Sequence, residues 1–303
     1  MKSLLVLTVF FHSLLAFDYS LEPKKINENA YCFFGLSEVM DEHNNGNMSN
    51  SCFVNMGTSY LVIDSGPTYS YASQAYEKMQ QIKDLPISFV INTHVHDDHW
   101  LGNSYYAELG IQIIGSSAFK KEAKVEVTRM QRRISKDAYL KTTQEFPKVF
   151  VEKHEKKVLT FNDKEVHLIS VNKKAHTDSD LLVYIPSEKI IFVGDLVFND
   201  RIPSIRDGNL KGWMQTLEEV SSMDLDFIIG GHGKIVDRSS IDMTYNYIKT
   251  LQKRVKSLIE DGEEISDVVN MVKMEEFKQI NFYDSMHRQN VEIAYRMLEW
   301  EIE

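Results

Sequence analysis

Four short, apolar, β-branched runs in this 303-residue chain each lead to a histidine or an aspartate. That pattern limits the possible fold more than any other feature. Ile87-Ser88-Phe89-Val90-Ile91 leads into His94-Val95-His96-Asp97-Asp98-His99. Val166-His167-Leu168-Ile169-Ser170-Val171 is followed within a short loop by His176. Lys189-Ile190-Ile191-Phe192-Val193-Gly194 meets Asp195 at once, and Phe227-Ile228-Ile229-Gly230-Gly231 ends on His232. Runs of this length and composition read as strands. In α/β sheets the reacting residues lie beyond the carboxyl ends of strands, so these four ends can converge on one crevice. Five of the ten histidines fall in these four places.

The first of these segments is the densest. Histidines at i and i+2 leaving a strand point to the same side, which pairs His94 with His96. The chain then turns, and Asp98 and His99 can face a second point a few ångströms away. Imidazole and carboxylate together suit zinc, and also iron or manganese. A polar turn rich in histidine is the plainer reading of these six residues alone; the three later strand ends supply the partners that reading leaves unexplained.

Taken together, HVHDDH, His176, the Gly194-Asp195 pair and the Gly231-His232-Gly233 turn resemble the metallo-β-lactamase superfamily, over roughly Tyr31 to Val236. The resemblance implies an α/β fold, the αββα four-layer sandwich, here with a C-terminal helical extension. It implies one metal on His94, His96 and His176, and a second on Asp98, His99 and His232, with Asp195 bridging both. Asp64, in Leu61-Val62-Ile63-Asp64-Ser65-Gly66, matches the family's early strand-end aspartate, a support for a ligand more than a ligand itself. A turn-forming aspartate before Ser-Gly explains it equally well.

Ligand identity narrows the branch. His96 stands where flavodiiron oxygen reductases carry Glu, and no flavodoxin-like stretch follows. Asp195 stands where the main subclass of zinc β-lactamases places Cys, and His99 where they lack a histidine. The set therefore resembles the broader hydrolase branch. The run Asp195 to Ser204 with Gly212-Trp213, and the ending Asn290-Val291, Ala294-Tyr295 and Glu299-Trp300-Glu301, resemble an exported group containing SoxH-like proteins and zinc metallohydrolases of quinoprotein systems.

The expected function is a binuclear, zinc-dependent hydrolase using a metal-bound hydroxide on an ester, thioester, lactam or related bond. A bound metal brings the pKa of water from about 15.7 to near neutrality. Asp98 is the expected catalytic residue, binding one metal and orienting the hydroxide. Thr93 and Thr177 flank ligand histidines and are candidates to fix their outer hydrogen bonds. Two alternatives stand beside this: an iron-dependent redox or sulfur-transforming enzyme on the same fold, and a non-catalytic accessory protein.

Composition sets the surroundings. A net charge of −10 argues against general binding to nucleic acid or anionic lipid, leaving a small-molecule substrate as the expected partner. Residues 1–16 read as a cleaved signal peptide: Lys2 gives the positive start, Leu4 to Phe11 the apolar core, and Ala16 the small residue. The expected location is thus periplasmic or secreted, without a stable membrane anchor. Cys32 and Cys52, the only cysteines, fall in two strands joined by an Asn- and Gly-rich stretch. A disulfide and two buried thiols are both open.

Residues 17–238 form the expected catalytic domain and 239–303 a helical extension packed on it. A helix is expected over about Tyr69 to Asp84, and a second, amphipathic one over Ser117 to Lys141, with Val125, Met130, Ile134 and Leu140 on its apolar face. Beyond Ser239, three helices carry packing stripes that could also join subunits. His287 is expected at the surface, and Arg201, Asp207, Lys211 and Trp213 are candidates to line the pocket.

Overall fold

The computed structural model describes residues 17–123 and 129–301. The proposed signal segment and Val125 lie outside these. Strands β1 (Lys24–Lys25), β2 (Ala30–Phe33), β3 (Ser51–Asn55), β4 (Tyr60–Ile63), β5 (Ile87–Ile91), β6 (Gln112–Ser116) and β7 (Val149–Val151) form one sheet in sequence order. A second sheet has the order β12-β11-β10-β9-β8, from β8 (Lys156–Phe161), β9 (Lys164–Ser170), β10 (Leu181–Ile185), β11 (Ile190–Phe198) and β12 (Phe227–His232). Pairing is antiparallel from β1 to β4 and parallel from β4 to β7. In the second sheet only β11 and β12 run parallel.

The strand sequences explain the layering. Successive side chains of a strand face opposite ways, so a run apolar at every position needs cover on both faces. In β4, Tyr60 and Val62 enter an outer core under helices α1 (Tyr69–Ile82) and α3 (Asn103–Glu108), while Leu61 and Ile63 enter the core between the sheets. In β11, Ile190 and Phe192 face that inter-sheet core, and Ile191 and Val193 face a third core. There the second sheet is covered by α6 (Leu210–Ser222), α7 (Asp242–Glu260), α8 (Ile265–Met271) and α9 (Tyr283–Leu298). The result is an αββα sandwich whose outer layer includes the C-terminal helices. Among the described residues no helix is long and apolar enough to cross a membrane.

Cys32 and Cys52 lie directly opposite in the β2–β3 pairing and form a disulfide facing the inter-sheet core. Three sequence expectations need correction. Ser117 to Lys141 is not one helix: α4 (Phe119–Glu122) and α5 (Arg129–Arg133) are separate turns, and Leu140 is exposed while Met130 and Ile134 are buried. The third C-terminal helix, which the sequence pattern sets at Val291 to Ile302, begins eight residues earlier, at Tyr283. His287 is buried; its ring joins the Tyr247 hydroxyl at 3.0 Å and the Val272 carbonyl at 2.9 Å.

Candidate metal centre

The site sits at the ends of β5 and β12, at the loop after β9 and at Asp195 inside β11, a strand the sequence pattern ends at Gly194 but which runs on to Phe198. His94 follows β5, and His96 caps the short helix α2 (Asp97–Trp100), which carries Asp98 and His99. β11 brings Asp195 in through an irregular register with β12 on either side of Gly194. Gly194 has φ +53° and packs on Thr93, where a Cβ would lie 2.5 Å from the Thr93 hydroxyl. A Cβ on Gly231 would lie 2.0 Å from Asp195 Oδ1, so only glycine lets β12 pass behind that carboxylate.

Two sets of donor atoms result: His94, His96, His176 and Asp195 in one, Asp98, His99 and His232 in the other. All seven sequence-derived candidates are thus brought together. A tetrahedral ion with bonds of about 2.0–2.1 Å spaces its ligand atoms about 3.3–3.4 Å apart. His96 Nδ1 lies 3.1 Å from His94 Nε2 and 3.0 Å from His176 Nε2. Asp195 Oδ2 lies 3.5, 3.4 and 4.0 Å from His94 Nε2, His176 Nε2 and His96 Nδ1. Its other oxygen, Oδ1, lies 3.0 Å from His99 Nε2 and 3.2 Å from His232 Nε2. Asp98 Oδ2 completes the second set, 3.8 Å from His99 Nε2 and 3.7 Å from His232 Nε2. One carboxylate thus gives an oxygen to each set.

The donors fit a cation on a second count. His99 Nε2 and Asp195 Oδ1 are buried without a hydrogen bond even though they lie 3.0 Å apart. Buried polar atoms left unpaired are costly, and a positive ion between them removes that cost. Outer ring nitrogens are mostly anchored, as ligand histidines require. Asp64 Oδ2 accepts from His99 Nδ1 at 2.8 Å, and the Met48 carbonyl accepts from His232 Nδ1 at 2.7 Å. Thr93 Oγ1 meets His94 Nδ1 at 3.1 Å and itself donates to Asp64 at 2.7 Å. Asp207 Oδ2 meets His96 Nε2 at 3.3 Å, while His176 Nδ1 has no partner. Asp64 therefore supports His99 through a residue at φ +55°.

Electrostatics keep His96, His176, His232 and Asp195 in binding form. Burial lowers His176 well below its ordinary range and lowers His96 and His232 as well, holding all three rings neutral. For Asp195 burial opposes ionisation, but His232, His99 and His94 hold the carboxyl well below the usual range. Burial likewise opposes charge on His99, yet Asp195, Asp64 and Asp98 raise it well above its ordinary value.

Sequence reading missed several neighbours. Asp180, buried and pushed up to about 6 by that burial, receives the backbone N–H of His176 and of Thr177 and the Thr177 hydroxyl. Thr177 thus holds the loop and leaves the His176 ring alone. The spacing of Thr177 and Asp180 in a short loop was the available signal. Arg129 bonds Asp97 and Asp98 Oδ1 across a long connection, and no local pattern could reveal that. A cavity of about 520 Å³ opens onto the centre, with Arg201, Phe282 and Met286 on its wall. Asp207 lies beside His96 but lines a neighbouring cavity with Lys174 and Thr177. Trp213 is wholly buried against the His176 ring, and Lys211 points to solvent from α6, so neither lines this cavity.

A family model described as the metallo-beta-lactamase superfamily matches residues 44–232. Two solved structures share the fold at low identity. A metallo-beta-lactamase from Pontibacter korlensis aligns with a TM-score of 0.61 and 18% identity, over 76% of this chain and 99% of that one. The DIM-1 metallo-beta-lactamase, in a crystal structure described as exposed to ceftazidime, gives 0.58 and 17%, over 76% and 97%. At these identities the likeness carries the fold alone. The family match spans every strand end that carries a donor, and this chain belongs to the metallo-beta-lactamase superfamily.

Proposed function

We propose that this protein is a metal-dependent hydrolase that holds two divalent ions, zinc by the donor set, and cleaves an ester, thioester, lactam or related bond in a small molecule. One observation carries the reading: seven donors, six of them buried, form two sets, and the two oxygens of Asp195 are divided between them beside a cavity of about 520 Å³. When bound, such ions supply Lewis acidity and bring a water's pKa toward neutrality.

The chain's own residues do the rest. Asp98 is fixed through Oδ1 by Arg129, leaving Oδ2 directed inward. Burial opposes its charge, but Arg129, His99 and His232 hold it below the ordinary carboxylate range, so it stays an acceptor and suits orienting a water. Asp207 and Thr93 fix the rings of His96 and His94. Phe198 stacks on His232 at 4.9 Å and Trp213 closes on His176 at 5.0 Å, excluding water from behind both. As part of the same proposal the protein is exported after loss of residues 1–16 and sits with the SoxH-like and quinoprotein-associated group.

The test is metal content by elemental mass spectrometry on the mature protein, followed by ester, thioester and lactam probes. Two zinc per chain with turnover, and loss of most turnover with a retained fold in Asp195→Ala, would support the reading. Iron near stoichiometry would redirect it to redox chemistry. Near-normal turnover in Asp195→Ala would sink the two-ion mechanism.

A further inference from the structure

Arg201 occupies an unusual place. It follows β11, and its backbone pairs with Asn281 just ahead of α9. The guanidinium lies 5.3 Å from the ring centres of both Phe198 and Phe282. Among the described residues no carboxylate lies within salt-bridge distance of it. Its polar contact is Nη2 to His232 Nε2, at 3.0 Å.

That contact uses a particular lone pair. The Met48 carbonyl can only accept, so His232 carries its proton on Nδ1 and leaves Nε2 as an acceptor. A guanidinium can only donate, and it does not lose its proton in proteins. The same Nε2 lone pair faces Asp98 Oδ2 and Asp195 Oδ1 and belongs to the second donor set. Arg201 and an ion cannot both use it. Arg129 differs, because it holds the outer oxygen of Asp98 and leaves the inner one free. In the first set no arginine or lysine among the described residues lies within hydrogen-bond distance of His94 Nε2, His96 Nδ1 or His176 Nε2.

Resting on the metal-centre reading above, we propose that Arg201 competes with metal for His232. The His94, His96, His176 and Asp195 subsite then fills first. The Asp98, His99 and His232 subsite fills in a separate, weaker step that requires Arg201 to leave Nε2. Two aromatic rings hold the guanidinium near this position, so the competitor stays at high local concentration and sets the metal level at which the centre becomes binuclear.

The experiment titrates the metal-free full chain with Co2+, read by ligand-field absorption, and with Zn2+ by calorimetry. Two resolved steps are expected in the wild type. Arg201→Met should strengthen the second step about 10- to 100-fold, as expected for removing a charge-assisted hydrogen bond, and leave the first nearly unchanged. Arg201→Lys, which keeps a cation between the rings, should fall between, and it serves as the probe should the Met variant not fold. Arg133→Met removes the same charge from the same cavity wall and should move neither step. A second step unaltered in both Arg201 variants would overturn the proposal and leave the metal centre standing. An equal gain in Arg133→Met would also overturn it, assigning the effect to general charge. No uptake of either ion by the wild type would remove the metal centre itself, and the competition with it.

Discussion

Asp64→Asn isolates the support of His99 from the ligands themselves. Asp64 is buried and accepts three hydrogen bonds: Thr93 N–H at 2.8 Å, the Thr93 hydroxyl at 2.7 Å and His99 Nδ1–H at 2.8 Å. Its φ of +55° would penalise most replacements, but asparagine tolerates that region, so the backbone is spared. The amide oxygen can keep the Thr93 N–H bond, and the amide NH2 can donate to the Thr93 oxygen. His99 Nδ1 then faces a second donor, and the ring answers only by carrying its proton on Nε2, toward Asp195 Oδ1 and in place of a metal ion. Hydrogen bonds to a charged group are worth about 1.5–3 kcal/mol, so a loss of about 2 kcal/mol is expected for the metal-free protein. The freed ring should also weaken metal binding at the Asp98, His99 and His232 subsite about 10- to 100-fold, sparing the other. Urea unfolding of the stripped protein and metal per chain after dialysis read the two effects. A variant that unfolds within about 0.5 kcal/mol of wild type, the level of an ordinary surface substitution, and keeps two ions would refute the argument.

Removing the disulfide through Cys32→Ser and Cys52→Ser together, which opens a loop with a sequence separation of 20, should cost about 3 kcal/mol in denaturant titrations; an unchanged midpoint would deny the bond. Burial holds the pKa of His287 below its ordinary value of 6.5, against the pull of the Val272 carbonyl. The unfolded chain therefore gains a proton first as pH falls, so the contribution of the neutral ring is complete above that value and is lost as pH drops through the folded pKa. His287→Gln should show a flatter fall in Tm between about pH 7.5 and about pH 5 than wild type, and parallel curves would refute this assignment. Chelation should lower Tm in the wild type and do so less in Asp195→Ala, since only ions bound to the native state stabilise it.

The sequence by itself determined which residues meet. Six of the seven donors lie at or a few residues past a strand end, Asp195 lies inside β11, which runs on to Phe198, and β-branched runs are readable because strand formation is decided locally. Helix α1 was legible for the same reason, with Thr68 capping it ahead of an amphipathic stripe. The segment around α4 and α5 was not, because the helical spacing of Met130 and Ile134 is also met by a short turn pressed on the first sheet. Tertiary structure alone decided which atoms carry the chemistry. The His232 tautomer is set by the carbonyl of Met48, 184 residues away, and the contested lone pair by Arg201. Burial of His287 is likewise settled by Tyr247 and Val272, on other helical segments. Such contacts join residues with no local relation. They depend on how two sheets and their covering helices pack, and periodicity along one chain segment carries no record of that.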